Sequence, residues 1–247
     1  SDDKTVISAG DDRIIRIWKN SVQSKCEEIK AHTGGIREIE LSATEKYLLS
    51  ASEDKTVKIW DFANKKYKLC LSGHKNWVRT AKFSPDERLV ASGGDDRILK
   101  IWNLEESKNY ISFDDFENTI SSIAFHSNGN SVVSASHDGI IKIWDLRSER
   151  LIQHYNAHDS SINKVSMHPS GAYMISAGDD GKAKVWDIRE GKLAYTFFGH
   201  SSEIKSASFS KDGSYIATAG NDGLSLIWNF PISQSQCTQE SQLKTEF

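Results

Sequence analysis

The chain has 247 residues, a net charge of −3 and 10% aromatic residues. This charge is not the footprint of a nucleic-acid-binding surface, and no apolar run approaches the roughly 18–20 residues of a membrane-spanning helix, so we expect neither nucleic-acid partners nor membrane insertion. Three cysteines without C-x-x-C spacing, Cys26, Cys70 and Cys237, predict neither a disulfide framework nor a zinc site and favour a reducing cytoplasmic compartment.

Tryptophan recurs with a period of 42 residues. Six of the seven Trp residues stand on this period, an Asp precedes each of the six by six residues, and a Ser or Thr precedes each Asp by four. A His stands 28 residues before four of these Trp. Self-similarity at a period of roughly 40–45 residues, with G-H and W-D signatures, is typical of a propeller built from four-stranded blades. We therefore predict an all-β propeller with six recognisable repeats.

The first repeat begins in "TVISAG", which we predict as strand b, so that its inner strand a is missing. This expectation makes the chain part of a seven-bladed ring without its first blade. The third repeat shows the full strand order a to d as "VRTAKFS", "RLVASGG", "RILKIWN" and "YISF", with the apolar and β-branched residues typical of strands. "SPDE", "SNGN", "PSGA" and "KDGS" are predicted a–b turns. We predict one propeller domain over 1–230 and a polar tail or linker over 231–247.

The stretch "SASHDGIIKIWD" places Ser136, His137 and Asp138 side by side, which are the side chains of a serine hydrolase. Asp138 belongs to the series that recurs every 42 residues, whereas a catalytic triad is needed once and is defined by geometry. The trio is therefore predicted to be architectural, and the protein is predicted not to be an enzyme. We expect no cofactor and no small-molecule substrate, and the scattered His126 and His168 share no metal-ligand spacing.

Two irregularities stand out against the repeat. Trp77 lies where the other repeats have Gly, Thr, Ser or Glu, and Lys75 and Arg79 flank it. This composition is typical of a binding hot spot, although Trp77 packing over a neighbouring loop is an equal alternative. The second irregularity is "DDFE", in which Phe116 replaces the His of the repeat. Its acids can bind a basic segment or form a solvated loop, and they are Asp114, Asp115 and Glu117.

The G-H and W-D spacing resembles the WD-repeat family. In that family the Asp accepts a hydrogen bond from the His, the His meets the Ser or Thr, and the hydroxyl meets the Trp indole N–H. The resemblance implies four structural sets: His32–Ser50–Asp54–Trp60, His74–Ser92–Asp96–Trp102, His158–Ser176–Asp180–Trp186 and His200–Thr218–Asp222–Trp228. Such buried polar groups need partners, which the set would supply.

Three stretches resemble the proteome of centriole family of WD-repeat proteins: "HKNWVRTAKFSPDERLVASGGDD", "LIQHYNAHDSSINKVSMHPSGAYMISAGDDG" and "GKLAYTFFGHSSEIKSASFSKDG". The resemblance implies a non-enzymatic scaffold at centrioles and basal bodies, within the cytoskeleton, that stabilises triplet microtubules and supports cilium assembly. Its implied partners are tubulin or other centriolar microtubule-associated proteins. The alternative is a general adaptor propeller, such as a ubiquitin ligase substrate receptor or a peptide-tail reader.

Overall fold

The structure is a computed structural model that describes residues 5–19, 26–106 and 108–230. All helix or strand structure in these ranges is strand, as predicted. The first eleven strands are β1 (Thr5–Ala9), β2 (Ile14–Lys19), β3 (Glu27–Lys30), β4 (Ile36–Leu41), β5 (Tyr47–Ser52), β6 (Thr56–Asp61), β7 (Lys66–Ser72), β8 (Val78–Phe83), β9 (Leu89–Gly94), β10 (Leu99–Asn103) and β11 (Lys108–Phe113). The next eleven are β12 (Ile120–Phe125), β13 (Ser131–Ser136), β14 (Ile140–Asp145), β15 (Arg150–Asn156), β16 (Ile162–Met167), β17 (Tyr173–Gly178), β18 (Lys182–Asp187), β19 (Lys192–Phe198), β20 (Ile204–Phe209), β21 (Tyr215–Gly220) and β22 (Ser225–Asn229).

These strands form six antiparallel sheets of consecutive strands, which are the six blades of a WD-repeat β-propeller. The four middle blades have four strands each, and the first and last have three in the described residues. β1 is the strand predicted from "TVISAG", and it pairs with β2 from Thr5 opposite Lys19 to Ala9 opposite Ile15. The predicted tail over 231–247 lies outside the described residues.

The chain divides into two compact units, Ser1–Ile162 and Asn163–Phe247. The first unit holds the four blades β1–β3, β4–β7, β8–β11 and β12–β15, and the second holds nearly all of β16–β19 and all described strands of the last blade. The single propeller domain over 1–230 remains a prediction.

Within each unit, apolar residues of one blade pack against the next blade in sequence. In the first unit, Leu49 and Ile59 share a buried cluster with Val90 and Trp102 of the following blade. In the second unit, Val185 packs in the same way in a cluster with residues of β20 and β21. Because both faces of a blade are covered, its strands read as nearly continuous apolar runs instead of an alternating pattern. The strand-c Trp, 3% exposed at Trp102, belongs to the face that packs on the preceding blade.

The inner strand β8 has one edge without a partner strand, because it pairs only with β9. Carboxylates from the preceding blade accept hydrogen bonds from this edge: Ala81 N–H donates to Glu38 Oε2 at 3.2 Å, and Phe83 N–H donates to Glu40 Oε2 at 2.6 Å. One blade further on, Ile123 N–H donates to Thr80 Oγ1 at 3.2 Å. Side chains thus satisfy backbone donors that an open sheet edge would leave unpaired.

Lys82 joins the two carboxylates of this edge. Its Nζ lies 3.1 Å from Glu38 Oε1 and 3.3 Å from Glu40 Oε1. Burial disfavours the ammonium charge, but the attraction of both carboxylates outweighs it and raises the pKa of Lys82. Burial also raises the pKa of Glu40, although Lys82 opposes that shift. The cluster therefore depends on Lys82 to keep two neighbouring acids ionised.

The turn between strands b and c ends in a left-handed residue in every blade. The φ angles lie between 61° and 81°, at Arg13, Lys55, Arg97, Gly139, Gly181 and Gly223. A Cβ at Gly139 would lie 2.1 Å from the His158 backbone oxygen, which is impossible without movement of the chain. Gly139 is therefore required by close approach as well as by its φ of 81°.

We predict that Gly139→Ala destabilises the protein by about 3 kcal/mol or more, because it combines left-handed strain with a backbone clash. Gly191→Ala is the matched control. Gly191 has a φ of 67° but nothing within 4 Å of an added Cβ, so its substitution should cost only about 1 kcal/mol. Urea unfolding measures both values, and equal losses would contradict the role of close approach.

We predict that Lys82→Met destabilises the protein by about 3 kcal/mol at pH 7, because it leaves two carboxylates without their cation. Without Lys82, mutual repulsion raises the pKa of Glu38 and Glu40 above their unfolded values, so the folded state binds more protons. The deficit relative to wild type should therefore shrink as the pH falls from 7 to 5. Unfolding free energies measured across this range test the prediction, and a constant deficit would refute it.

Candidate functional site

The second blade contains a chain of buried polar contacts that links a loop to strand c. His32 lies in the turn before β4, Ser50 on β5, Asp54 in the β5–β6 turn and Trp60 on β6. His32 Nδ1 is 2.8 Å from Asp54 Oδ2, and His32 Nε2 is 2.7 Å from Ser50 Oγ. The Trp60 indole N–H donates to the same Ser50 oxygen at 3.0 Å. The geometry thus brings all four side chains of this set together.

Two pKa shifts define the protonation of this set. Burial lowers the pKa of His32 against the opposing effect of Asp54. Burial opposes ionisation of Asp54, but hydrogen bonds from Thr56 and His32 outweigh it and lower its pKa to about 2. A neutral His32 then donates its Nδ1–H to the Asp54 carboxylate and accepts the Ser50 hydroxyl at Nε2. Ser50 can accept from Trp60 at the same time, so every member has a partner.

The third and sixth blades hold the equivalent contacts. His74 lies 2.7 Å from both Asp96 Oδ2 and Ser92 Oγ, and Trp102 donates to Ser92 at 2.7 Å. In the last blade the distances from the histidine to the carboxylate and hydroxyl are 2.8 and 2.9 Å, and the residues are His200, Asp222, Thr218 and Trp228. The remaining set spans the two units, and only its part in the second unit is described here: Trp186 donates to Ser176 at 3.0 Å, and Lys182 N–H donates to Asp180 Oδ1 at 3.1 Å.

The fourth blade replaces the histidine with an aromatic contact. Phe116 is 7% exposed, and its ring centroid lies 5.6 Å from that of Trp144. The Trp144 indole still donates to Ser134 at 3.0 Å. Lys142 Nζ lies 5.1 Å from the centre of the Phe116 ring and donates to the Asp115 backbone oxygen. Apolar packing and a cation–π contact thus hold this loop where other blades use a His–Asp pair.

The Ser136–His137–Asp138 trio does not present a nucleophile. Ser136 is 1% exposed, and its hydroxyl donates to the Asp138 carboxylate. Ile140 N–H donates to the same carboxylate at 3.0 Å, which closes the b–c turn. A serine nucleophile must reach its substrate, so this buried hydroxyl serves the turn.

Trp77 is the residue of the predicted binding surface with the largest exposed apolar area. It is 40% exposed, in the loop before β8. The Arg79 guanidinium lies 5.3 Å from its ring centre. Arg79 also donates to both oxygens of Asp95, at 2.7 and 3.0 Å, so its charge is already paired. Lys75 is exposed, and its backbone N–H donates to Asp96 at 3.0 Å.

The acidic loop of the fourth blade exposes three carboxylates, at Asp114, Asp115 and Glu117. Lys142 Nζ lies 3.4 Å from Asp115 Oδ2, which partly balances the charge of the loop. The structure separates this loop from Trp77 by one repeat along the chain. The binding roles of both surfaces remain predictions.

Sequence reasoning missed Lys55 and the Glu38–Lys82–Glu40 cluster. Lys55 is exposed in a left-handed turn position that is Gly in three other repeats, and that exception was the available signal. The cluster had no signal in the sequence, because its members come from different blades. No three His, Cys, Asp or Glu side chains gather into a potential metal site in the described ranges. These ranges also contain no helix of the length and apolar character needed to cross a membrane.

One family model matches most of the chain. It is described as the nucleolar protein 10-like N-terminal domain, a β-propeller, and it matches residues 24–227. A comparison with curated proteins gave no match. The propeller fold expected from the repeat is therefore supported by an independent family match.

We predict that His74→Ala destabilises the protein by about 1–3 kcal/mol, because it removes a buried partner of Asp96 and Ser92. Trp102→Ala should cost about 3–5 kcal/mol through lost packing. His154→Ala is the matched control, since His154 is exposed on β15, and it should change stability by less than about 0.5 kcal/mol. Chemical denaturation measures all three, and a His74→Ala value like that of the control would remove the structural role of the set.

Proposed function

The chain belongs to the family of nucleolar protein 10-like N-terminal domains, and we propose that it is a non-enzymatic scaffold that binds other proteins through the loops of its blades. A propeller offers rigid sheets with variable loops, and loops on a rigid scaffold commonly carry binding function. The observation that carries the proposal is Trp77, a 40% exposed indole in a position that is small or polar in most other repeats. Trp residues are enriched among the residues that dominate binding energy.

The proposed site of action is the centriole or basal body, where the protein would bind and stabilise triplet microtubules and support cilium assembly. The support for this location is the resemblance of the three quoted stretches, which together extend over several blades. Tubulin or a centriolar microtubule-associated protein is then the partner. The net charge of −3 is too small for long-range attraction or repulsion to dominate, so local contacts must provide affinity.

The second candidate location is the nucleolus. The observation that favours it is the printed name of the matching family. The same protein-binding role would apply there, with a nucleolar protein as the partner. Microscopy separates the two locations directly, because centrioles and nucleoli occupy different compartments of the cell.

We predict that the tagged full-length protein accumulates at centrioles or basal bodies in a ciliated cell, and that Trp77→Ala reduces this accumulation. Loss of an indole anchor is typically worth about 2 kcal/mol or more, which corresponds to roughly 30-fold weaker binding. Markers for centrioles and nucleoli are imaged in the same cells. Arg79 is kept unchanged, because its pair with Asp95 makes substitution there a test of folding as well as binding.

Tyr110→Ala is the matched control for this experiment. Tyr110 is 62% exposed on β11, so its substitution removes an exposed aromatic side chain away from the proposed surface. A folded Trp77→Ala protein that accumulates like wild type would exclude this surface. Accumulation of wild type in the nucleolus would replace the centriolar proposal, and absence from both places would favour the general adaptor.

A further inference from the structure

We propose that the surface formed by Trp77, Lys55 and Lys75 binds an acidic, extended protein segment that places an apolar side chain on Trp77. This inference rests on the proposed protein-binding function and adds the chemistry of the partner. The three residues lie in the first unit, in the second and third blades.

The indole ring of Trp77 is held in place and is open on part of its surface. The Arg79 guanidinium stacks near one side, 5.3 Å from the ring centre. The Trp77 backbone is fixed on both sides: its N–H donates to Asn76 Oδ1 at 2.9 Å, and its oxygen accepts from Asp95 N at 2.9 Å. A fixed, 40% exposed indole offers apolar area that needs little ordering when a partner binds.

Arg79 is not the cation that a partner would meet. Its two hydrogen bonds to Asp95 neutralise its charge and orient the guanidinium beside the indole. Arg79 is therefore a positioning residue for Trp77. The cations available to a ligand must come from neighbouring positions.

Lys55 and Lys75 are those cations. Lys55 immediately precedes β6, whose first residue Thr56 pairs with Ser72, so Lys55 lies beside the start of the loop that carries Lys75 and Trp77. Both lysines are exposed, and neither forms an ion pair within the described part of the chain. Their positive charge therefore remains available to a ligand.

The acids near these lysines are already engaged. Asp54 and Asp96 bind their histidines at 2.8 and 2.7 Å. Glu53 accepts from Arg37 Nε at 2.8 Å, and Asp95 pairs with Arg79. This pairing leaves two lysine charges beside an exposed indole, which fits glutamate or aspartate side chains flanking an apolar residue.

The charges favour a protein segment over a nucleic acid. Nucleic-acid binding depends on many phosphate contacts, and this surface offers only two unpaired cations. The next loop exposes Asp114, Asp115 and Glu117, which would repel a phosphate backbone that continued across it. A short acidic segment can end before reaching that loop.

The test uses the full chain and a labelled peptide with two glutamates on each side of a central phenylalanine. The expected result is tighter binding than for the same peptide with glutamines, and loss of that difference in 1 M salt because charges are screened. Trp77→Ala should weaken binding by about 30-fold, and Lys55→Gln with Lys75→Gln by about tenfold. Lys66→Gln is the control: it is an exposed lysine at the opposite end of the same blade and should bind like wild type.

Equal binding of the glutamate and glutamine peptides, or equal loss in the Lys66→Gln control, would overturn the inference. A uridine decamer that binds more tightly than the peptide and depends on Lys55 and Lys75 would overturn it in favour of nucleic acid. The outcome is separable from that of the proposed function. Peptide binding without centriolar or nucleolar accumulation refutes only the location, whereas Trp77-dependent accumulation without peptide binding refutes only the acidic chemistry.

Discussion

A blade has two apolar faces and cannot bury either of them alone. Each face becomes part of a core only when the adjacent blade covers it, so the fold depends on repeated packing of one sheet on the next. The strand-c Trp lies at the centre of this constraint. Trp102 contributes a nearly fully buried indole to the cluster shared with the preceding blade. Its N–H must also find a partner there, and Ser92 provides it.

That requirement explains why the polar sets are built as chains. An indole N–H in a core leads to a hydroxyl, the hydroxyl to a histidine, and the histidine to an aspartate at a turn. Burial keeps His32 neutral, and hydrogen bonds keep Asp54 ionised, so the chain carries its negative charge at the end nearest solvent. The fourth blade shows that the packing requirement is the stricter one, because Phe116 replaces the histidine while the bond from Trp144 to Ser134 remains.

Most charges in the loops cancel locally, which directs attention to the exceptions. Arg79 and Arg37 are paired within their own blades, and the aspartates of the polar sets are used by histidines. Function on such a scaffold must therefore come from positions outside the repeat. The sequence indicated Trp77 and Arg79 together, but the tertiary structure divides their roles, since one is exposed and the other is paired with Asp95.

The sequence by itself determined the strands, the turns and the residues that recur, because the period of 42 forces each repeat to solve the same packing problem. It also indicated Trp77, since an exception is visible against a regular background. Only the tertiary structure decided that Lys82 joins Glu38 and Glu40, and that Lys55 lies beside the loop of Lys75. These contacts join separate blades or strands, and side-chain directions there depend on packing distances that no local pattern encodes.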